Sequence, residues 1–159
     1  MAITLQITQK DEWDHCHIVG AIDEEAEVHL MPHIASLRSQ VAVNFRQVTN
    51  VNSCGVRAWI NFMRELSKGR QIVFEECKPE IISQINMIPS FRGAAKIQSV
   101  YGSYDCSQCK NHQDVLLIKG KNLPGKLSDG LPKISCERCK NPLELDELEE
   151  EYFAWMDAN

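Results

Sequence analysis

The pattern of apolar and polar positions changes its period near the middle of the chain. Val41, Val43 and Phe45 alternate with small or polar residues, which is typical of a strand with one buried face. A polar stretch over 47–52 then predicts a turn. Apolar residues next recur at helical spacing, at Val56, Trp59, Ile60, Met63 and Leu66. The sequence therefore predicts a strand, a polar turn and an amphipathic helix that ends before Gly69.

The segments before this region predict a hairpin followed by a broken helix. Alternation of Ile3, Leu5 and Ile7 with polar residues indicates a first strand, and residues 16–22 indicate a second. Leu30, Ile34 and Leu37 share one helical face, which Pro32 is expected to interrupt.

The segments after it predict a buried strand and another helix. The apolar run 72–74 is short, as in a strand buried on both faces. Pro79 suits the first turn of a helix, and Pro89 stops its continuation. The buried face of that helix is predicted to comprise Ile81, Ile82, Ile85 and Ile88. Strands that alternate with helices predict an α/β fold, a mixed sheet with helices packed mainly on one face.

Composition narrows the possible environments and partners. The chain has 159 residues and a net charge of −5, which gives no whole-chain electrostatic case for nucleic-acid binding. Neither a membrane span nor a signal peptide is predicted, so we expect a cytoplasmic protein. Seven cysteines in a reducing compartment indicate metal binding or redox chemistry before disulfides.

Four of these cysteines form two Cys-x-x-Cys pairs, each followed by Lys and Asn. They are Cys106 with Cys109, and Cys136 with Cys139. A strand over 115–118 and a loop over 120–130 separate the pairs. Two such knuckles at hairpin tips can hold Zn²⁺ by four thiolates, which predicts a small, closed, structural zinc ribbon. Redox dithiols, an iron–sulfur cluster and replacement of one thiolate by His112 are the alternatives.

The residues around and after the ribbon differ in charge. Residues 101–140 contain seven Lys or Arg and four Asp or Glu, whereas residues 141–159 are acidic. This mild basicity permits nucleic-acid contact. The acidic end predicts a helix with one apolar stripe, formed by Leu145, Leu148, Tyr152 and Trp155 or Met156. We expect this helix to pack on its own domain, and docking on a partner is the alternative.

Ser53 lies where the central strand gives way to the helix, at or next to the N-cap. One interpretation is a hydroxyl that caps an orphan backbone N–H. The other is a hydroxyl that can be phosphorylated at the positive end of a helix. The neighbouring Cys54 is either a residue packed at a tight turn or a thiol activated by the helix N-terminus.

The turn Asn52-Ser53-Cys54-Gly55, between that strand and that helix, resembles the STAS domain (sulfate transporter and anti-sigma factor antagonist). The resemblance extends to residues 18–23, 70–74 and 79–88. In bacterial anti-sigma factor antagonists the matching turn reads acid-Ser-Ser/Thr-Gly, and a partner kinase phosphorylates its first Ser. Here Asn52 replaces the acid and Cys54 replaces the second hydroxyl.

This resemblance implies a STAS-like domain over 1–100, followed by the zinc ribbon and acidic helix over 101–159. It implies a non-enzymatic signalling module whose partner is an anti-sigma factor or a switch kinase. Ser53 is the predicted phosphorylation site. The predicted partner-binding residues are Asn52, Ser53, Cys54, Gly55 and Arg57. A nucleic-acid or transcription adaptor and a thiol redox sensor using Cys54 are the alternative functions.

Overall fold

The protein forms a mixed α/β fold, and the computed structural model describes residues 2–158 of it. The first part of the chain contains β1 (Thr4–Lys10), β2 (Trp13–Ile22), α1 (Ala26–Leu30), β3 (Gln40–Asn44), β4 (Val48–Val51), α2 (Ser53–Leu66), β5 (Gln71–Glu75), α3 (Pro79–Met87), α4 (Pro89–Arg92) and β6 (Lys96–Ile97). The second contains β7 (Ser99–Asp105), β8 (His112–Ile118), β9 (Glu144–Leu145) and α5 (Glu149–Tyr152). Short 3₁₀ segments follow α1 and α5 and interrupt the long loop after β8.

The first part is organised around a mixed sheet with the strand order β1-β2-β3-β5-β6. The hairpin of β1 and β2 is antiparallel, whereas the remaining neighbours pair in parallel. Every second residue of β2 from Asp14 to Ile22 is buried, and the intervening residues are half-buried. The predicted hairpin, the mixed sheet and the covering of one face by helices are thus confirmed.

The hydrophobic core lies between this sheet and α2, α3 and α4. Trp59 of α2 is fully buried, and its indole N–H donates to the Phe91 carbonyl oxygen at 3.0 Å. Its ring lies 5.4 Å from the Phe45 ring and 5.3 Å from the Phe62 ring, between centroids. This is the face that the helical spacing of the sequence predicts, and it fixes α2 against the sheet.

A second, three-stranded sheet follows, with the order β8-β7-β9. Val100 and Leu117 of this sheet are fully buried and belong to the same hydrophobic cluster as Trp59. A smaller cluster of Tyr104, Cys106, Cys136 and Leu143 lies at the other end of β7. The predicted division near residue 100 falls at the start of β7, and the independence of the two parts stays a prediction.

One predicted turn is in fact a strand. Residues 48–51 form β4, which pairs in parallel with β2 at Gly20 and Ile22. The sequence did not predict this strand, because it is short and contains the polar residues Thr49 and Asn50. Its pairing with β2 is what defines it as a strand. The strand brings the chain back to the end of β2 immediately before α2 begins.

The predicted long C-terminal helix is wrong. Leu145 lies in β9, Leu148 is 64% exposed, and only Glu149–Tyr152 form an α-helical turn before a 3₁₀ segment. The buried residues Tyr152, Phe153, Trp155 and Met156 come in consecutive pairs. A regular helix would turn such neighbours away from one another, so the chain bends to bury them all. As expected, the segment packs on its own chain, against α3.

Candidate docking turn and metal site

The helix α2 begins with a cap that leaves the Ser53 hydroxyl unused for capping. The N-cap residue is Asn52, whose side-chain oxygen accepts the Gly55 N–H at 2.7 Å. Ser53 is the first helical residue and is exposed. The interpretation of Ser53 as the capping hydroxyl is therefore wrong, because the amide before it occupies that role. The hydroxyl is accessible at the positive end of a 14-residue helix.

Gly55 is required because α2 begins directly against the end of β2. A Cβ atom at residue 55 would lie 1.8 Å from the Ile22 carbonyl oxygen and 2.8 Å from the Asp23 nitrogen. The Asn52 N–H also donates to that Ile22 oxygen, at 3.2 Å. The segment Gly20-Ala21-Ile22-Asp23 at the end of β2 and the turn Asn52-Ser53-Cys54-Gly55 therefore form the two sides of one junction. This junction holds Ser53 in a fixed place.

A shallow groove adjoins the exposed hydroxyl, which we call the Ser53 groove. Its volume is about 420 Å³. It is lined by Glu24, Glu27, Val28, Ser53, Cys54, Arg57, Ala58 and Asn61. Val28 is 72% exposed, and the amide of Asn61 donates to the Glu27 carboxylate at 2.8 Å. The groove thus presents an apolar side chain beside carboxylates and one guanidinium, a combination suited to a protein surface.

Among the predicted docking residues, Asn52, Ser53, Cys54 and Arg57 are exposed, whereas Gly55 is buried in the junction. Val28 and Glu27 of α1 and Glu24 of the turn before it also line the groove. Nothing in the sequence indicated this, because the fold brings α1 beside the start of α2. Cys54 is a free thiol. No His or Lys stands among the described residues that line the groove with it, so the groove offers Cys54 no imidazole or amine base.

The second candidate site is the group of four cysteines in the hairpins that end β7 and precede β9. The Sγ atoms of Cys106, Cys109, Cys136 and Cys139 all lie within 4.8 Å of one another. The separation is 3.4 Å between the Cys106 and Cys139 sulfurs and 3.6 Å between those of Cys109 and Cys136. Four thiolates around Zn²⁺ are spaced about 3.8 Å apart, given Zn–S bonds near 2.3 Å. The cysteines therefore fit a tetrahedral metal ion.

The two cysteine turns have the same backbone geometry. The Lys110 N–H donates to the Cys106 oxygen and the Lys140 N–H to the Cys136 oxygen, each at 2.9 Å. Both lysines have positive φ, 63° and 67°. Backbone N–H groups, that of Cys139 first and then that of Arg138, lower the pKa of the Cys136 thiol to about 6, although burial opposes this shift. The turn thus favours the thiolate form of Cys136, which is the form that binds metal. At Cys109 the backbone N–H of Asn111 also lowers the pKa, but burial and hydrogen bonds with the other three cysteines raise it to about 11.

Two asparagines support the sulfurs from outside the cluster. The Asn111 amide lies 3.6 Å from the Cys136 sulfur, and the Asn141 amide lies 3.3 Å from the Cys139 sulfur. Asn111 reaches across from one turn to the cysteine of the other. Side-chain donors of this kind orient the thiolates of metal sites. The repeated Cys-x-x-Cys-Lys-Asn pattern was visible in the sequence, but the role of its last residue was not.

His112 is not positioned as a metal ligand, so the predicted alternative of a His replacing a thiolate is wrong. Its Nδ1 atom lies 2.8 Å from Asp105 Oδ1 and its Nε2 atom 3.4 Å from Asp114 Oδ1. The Ser103 hydroxyl also lies 3.3 Å from Nε2, in the order of a hydrolytic triad. The hydrogen bond to Asp105 raises the pKa of His112, and the side chains of both residues are about half exposed to solvent.

Comparison with known proteins finds similarity to solved structures. No family model matches the chain, and no curated protein matches it. The crystal structure of Mglu is 19% identical with a TM-score of 0.40, over 45% of this chain and 19% of that chain. The anti-sigma factor antagonist SpoIIAA in its unphosphorylated form is also 19% identical with a TM-score of 0.40. That likeness covers 60% of this chain and 86% of SpoIIAA.

A separate result concerns membranes. Across residues 2–158, the helices are all too short or too polar to span a bilayer.

Proposed function

We propose that this chain is a non-enzymatic bacterial signalling module, similar to anti-sigma factor antagonists, that binds a protein partner through the Ser53 turn and the start of α2. The accessibility of Ser53 is the observation that carries this proposal. Its hydroxyl is exposed and is not needed for capping, since Asn52 performs that role. The adjoining groove offers Val28 and Arg57 to the same partner.

Phosphorylation of Ser53 switches this binding. A phosphate adds nearly two negative charges at the positive end of α2, where the helix itself tolerates them. It would lie beside the carboxylates of Glu24 and Glu27, so the local surface becomes strongly acidic. Acidic groups of a partner are then repelled. By the STAS resemblance, the partner is an anti-sigma factor or a switch kinase, and the kinase supplies the phosphate.

The cysteine cluster serves as a structural Zn²⁺ site in this proposal. The fit of the four sulfurs to tetrahedral geometry supports Zn²⁺ bound by Cys106, Cys109, Cys136 and Cys139. Four thiolates leave no open coordination position, so the ion stabilises the hairpins and takes no part in a reaction. The hairpins then form a second docking surface.

A second candidate function is an adaptor that contacts nucleic acid or a transcription complex through the ribbon. The observation in its favour is that all seven basic residues of 101–140 are exposed: Lys110, Lys119, Lys121, Lys126, Lys133, Arg138 and Lys140. Residues 141–159 weigh against this function, because they contain seven acidic residues and no basic residue. A steep decrease of binding with salt would identify it.

Affinity capture from the native cell with phosphosite mapping tests the first proposal. We expect Ser53→Ala to retain a specific partner and Ser53→Asp to lose most of it. Ser53→Asp places an acid in the first turn of α2, which stabilises a helix by about 0.3–1 kcal/mol, so the loss would not reflect unfolding.

Ser90→Asp is the matched control, because Ser90 is another exposed serine in the first turn of a helix, α4. It should capture the partner as the wild type does. Equal capture by wild type, Ser53→Ala and Ser53→Asp would reject the switch.

A further inference from the structure

The Ser53 groove contains a single cation among its described lining residues, the Arg57 guanidinium. Its two carboxylates, Glu24 and Glu27, come from α1 and the turn before it, and the Asn61 amide donates to Glu27 at 2.8 Å. An acidic group of a partner protein therefore finds an opposite charge among these residues only at Arg57.

The Arg57 side chain is not engaged within the described part of the chain. It is exposed, and it makes no hydrogen bond or ion pair there. Arg38 and Arg70 differ, because Arg38 pairs with the Asp14 carboxylate at 2.7 Å and Arg70 donates to the Ile34 carbonyl oxygen at 2.9 Å. No structural contact thus competes with a ligand for Arg57.

Ser53 and Arg57 lie on the same face of α2. They are four residues apart, so their Cβ atoms are about 5–6 Å from each other. Phosphate on Ser53 would carry nearly two negative charges and three acceptor oxygens, and a guanidinium can donate to two of these oxygens at once. An acidic group four residues before a basic one is also the favourable order in a helix. Arg57 can therefore bind phosphate on Ser53 within its own helix.

We propose that Arg57 exchanges one anion for another when the Ser53 switch operates. In the unphosphorylated chain it binds a carboxylate of the partner, and in the phosphorylated chain it binds the phosphate on Ser53. This inference rests on the proposed function and adds a cause to it, because the partner loses its cation as well as meeting a more acidic surface. The partner segment presents an acidic side chain to Arg57 and an apolar side chain to Val28, which is 72% exposed.

³¹P NMR of the full chain, with phosphoserine incorporated at residue 53, tests the intrahelical pair without any partner. Arg57→Gln should raise the second pKa of the phosphate by roughly 0.3, because an i,i+4 ion pair is lost, and Arg57→Lys should restore most of the difference. Arg64→Gln is the matched control, because it removes the same charge from α2 about 16 Å from Ser53 along the helix axis, beyond the screening length. The proposal is overturned if Arg57→Gln leaves the phosphate pKa unchanged, or if Arg64→Gln raises it equally.

A double-mutant cycle with the partner that the wild type captures separates this exchange from simple repulsion. Arg57→Gln should bind the partner at least about threefold more weakly, because an ion pair is lost. Phosphate at residue 53 should then weaken binding by a smaller factor in Arg57→Gln than in the wild type. An equal factor in both backgrounds would overturn the exchange and leave the phosphorylation switch intact. If phosphate had no effect in either background, the proposed switch itself would be rejected, and the exchange with it.

Discussion

Trp59 and Cys136 are both fully buried, but their surroundings differ. Trp59 is surrounded by aromatic rings and lies in a cluster that includes most of the buried residues of the first sheet and its helices. Cys136 lies in a cluster with only three other buried members, Tyr104, Cys106 and Leu143. The size of the first cluster predicts a region that is stable by itself, whereas we expect a region with so small a core to need additional bonds.

The two candidate sites lie on regions that differ in packing. The Ser53 groove lies on the well-packed region, where α2 is fixed by Gly55 against β2, so its exposed groups are held on a rigid support. The cysteine cluster lies in the region with little core, where a metal ion bound by the four sulfurs would add bonds that packing does not supply. Under the proposed function, the first site docks a partner and the second stabilises the hairpins.

The largest expected effect is the loss of the central indole. Trp59→Ala removes a fully buried ring and leaves the Phe91 carbonyl without its 3.0 Å donor. The free energy of unfolding should decrease by about 3–5 kcal/mol, measured by denaturant titration. Met87→Ala is the control, since Met87 is 64% exposed and should change it by less than about 0.5 kcal/mol.

Trp59→Ala also tests whether the two regions are stabilised separately. If the hairpins depend on their metal, Trp59→Ala should bind the same amount of metal per folded chain as the wild type. If metal binding decreased in parallel with the free energy of unfolding, the expectation that the two regions are stabilised separately would be wrong.

A smaller effect concerns acid stability of the first sheet. Asp14 of β2 is fully buried and accepts the Arg38 N–H at 2.8 Å and the Arg38 Nε–H at 2.7 Å. Burial works against the charged form of Asp14, but the interactions with Arg38 hold the pKa of this carboxyl below its usual range. The lowered pKa means that the pair stabilises the fold above the unfolded-state pKa of about 3.9 and that this contribution is lost as the pH falls further.

Asp14→Asn tests this dependence. At pH 7 the variant should be less stable than the wild type by roughly 2 kcal/mol, and the difference should shrink as the pH falls below about 4. Asp129→Asn, at an exposed position, should behave as the wild type at every pH. If the stability difference between Asp14→Asn and the wild type did not change between pH 7 and pH 3, the ionisation of Asp14 would not be the cause of the acid dependence.

The sequence was most informative where one period holds over a whole element. The alternation in β1 and β2, the helical spacing of α2 and the Ile81, Ile82 and Ile85 face of α3 all led to the observed elements. The Cys-x-x-Cys spacing likewise predicted four sulfurs in one place. These patterns involve residues that are close in sequence, so they can be recognised without the tertiary structure.

Features that depend on tertiary pairing could not be predicted in this way. The strand β4 exists through its pairing with Gly20 and Ile22, and the C-terminal segment bends to bury Tyr152 and Trp155 against α3. The capping role of Asn52 in place of Ser53 depends on a one-residue shift of the helix start, where boundaries from sequence are least certain.

Hydrogen exchange with and without a chelator, on a sample whose zinc content is measured by native mass spectrometry, tests the central comparison most directly. We expect one Zn²⁺ per chain before chelation. After chelation, the amides of Cys106, Lys110, Cys136 and Lys140 should lose their protection while those of α2 keep theirs. Two results would contradict a metal-dependent second region beside an independent first one. In the first, α2 loses protection together with the cysteine turns; in the second, the turns stay protected after the metal has been removed.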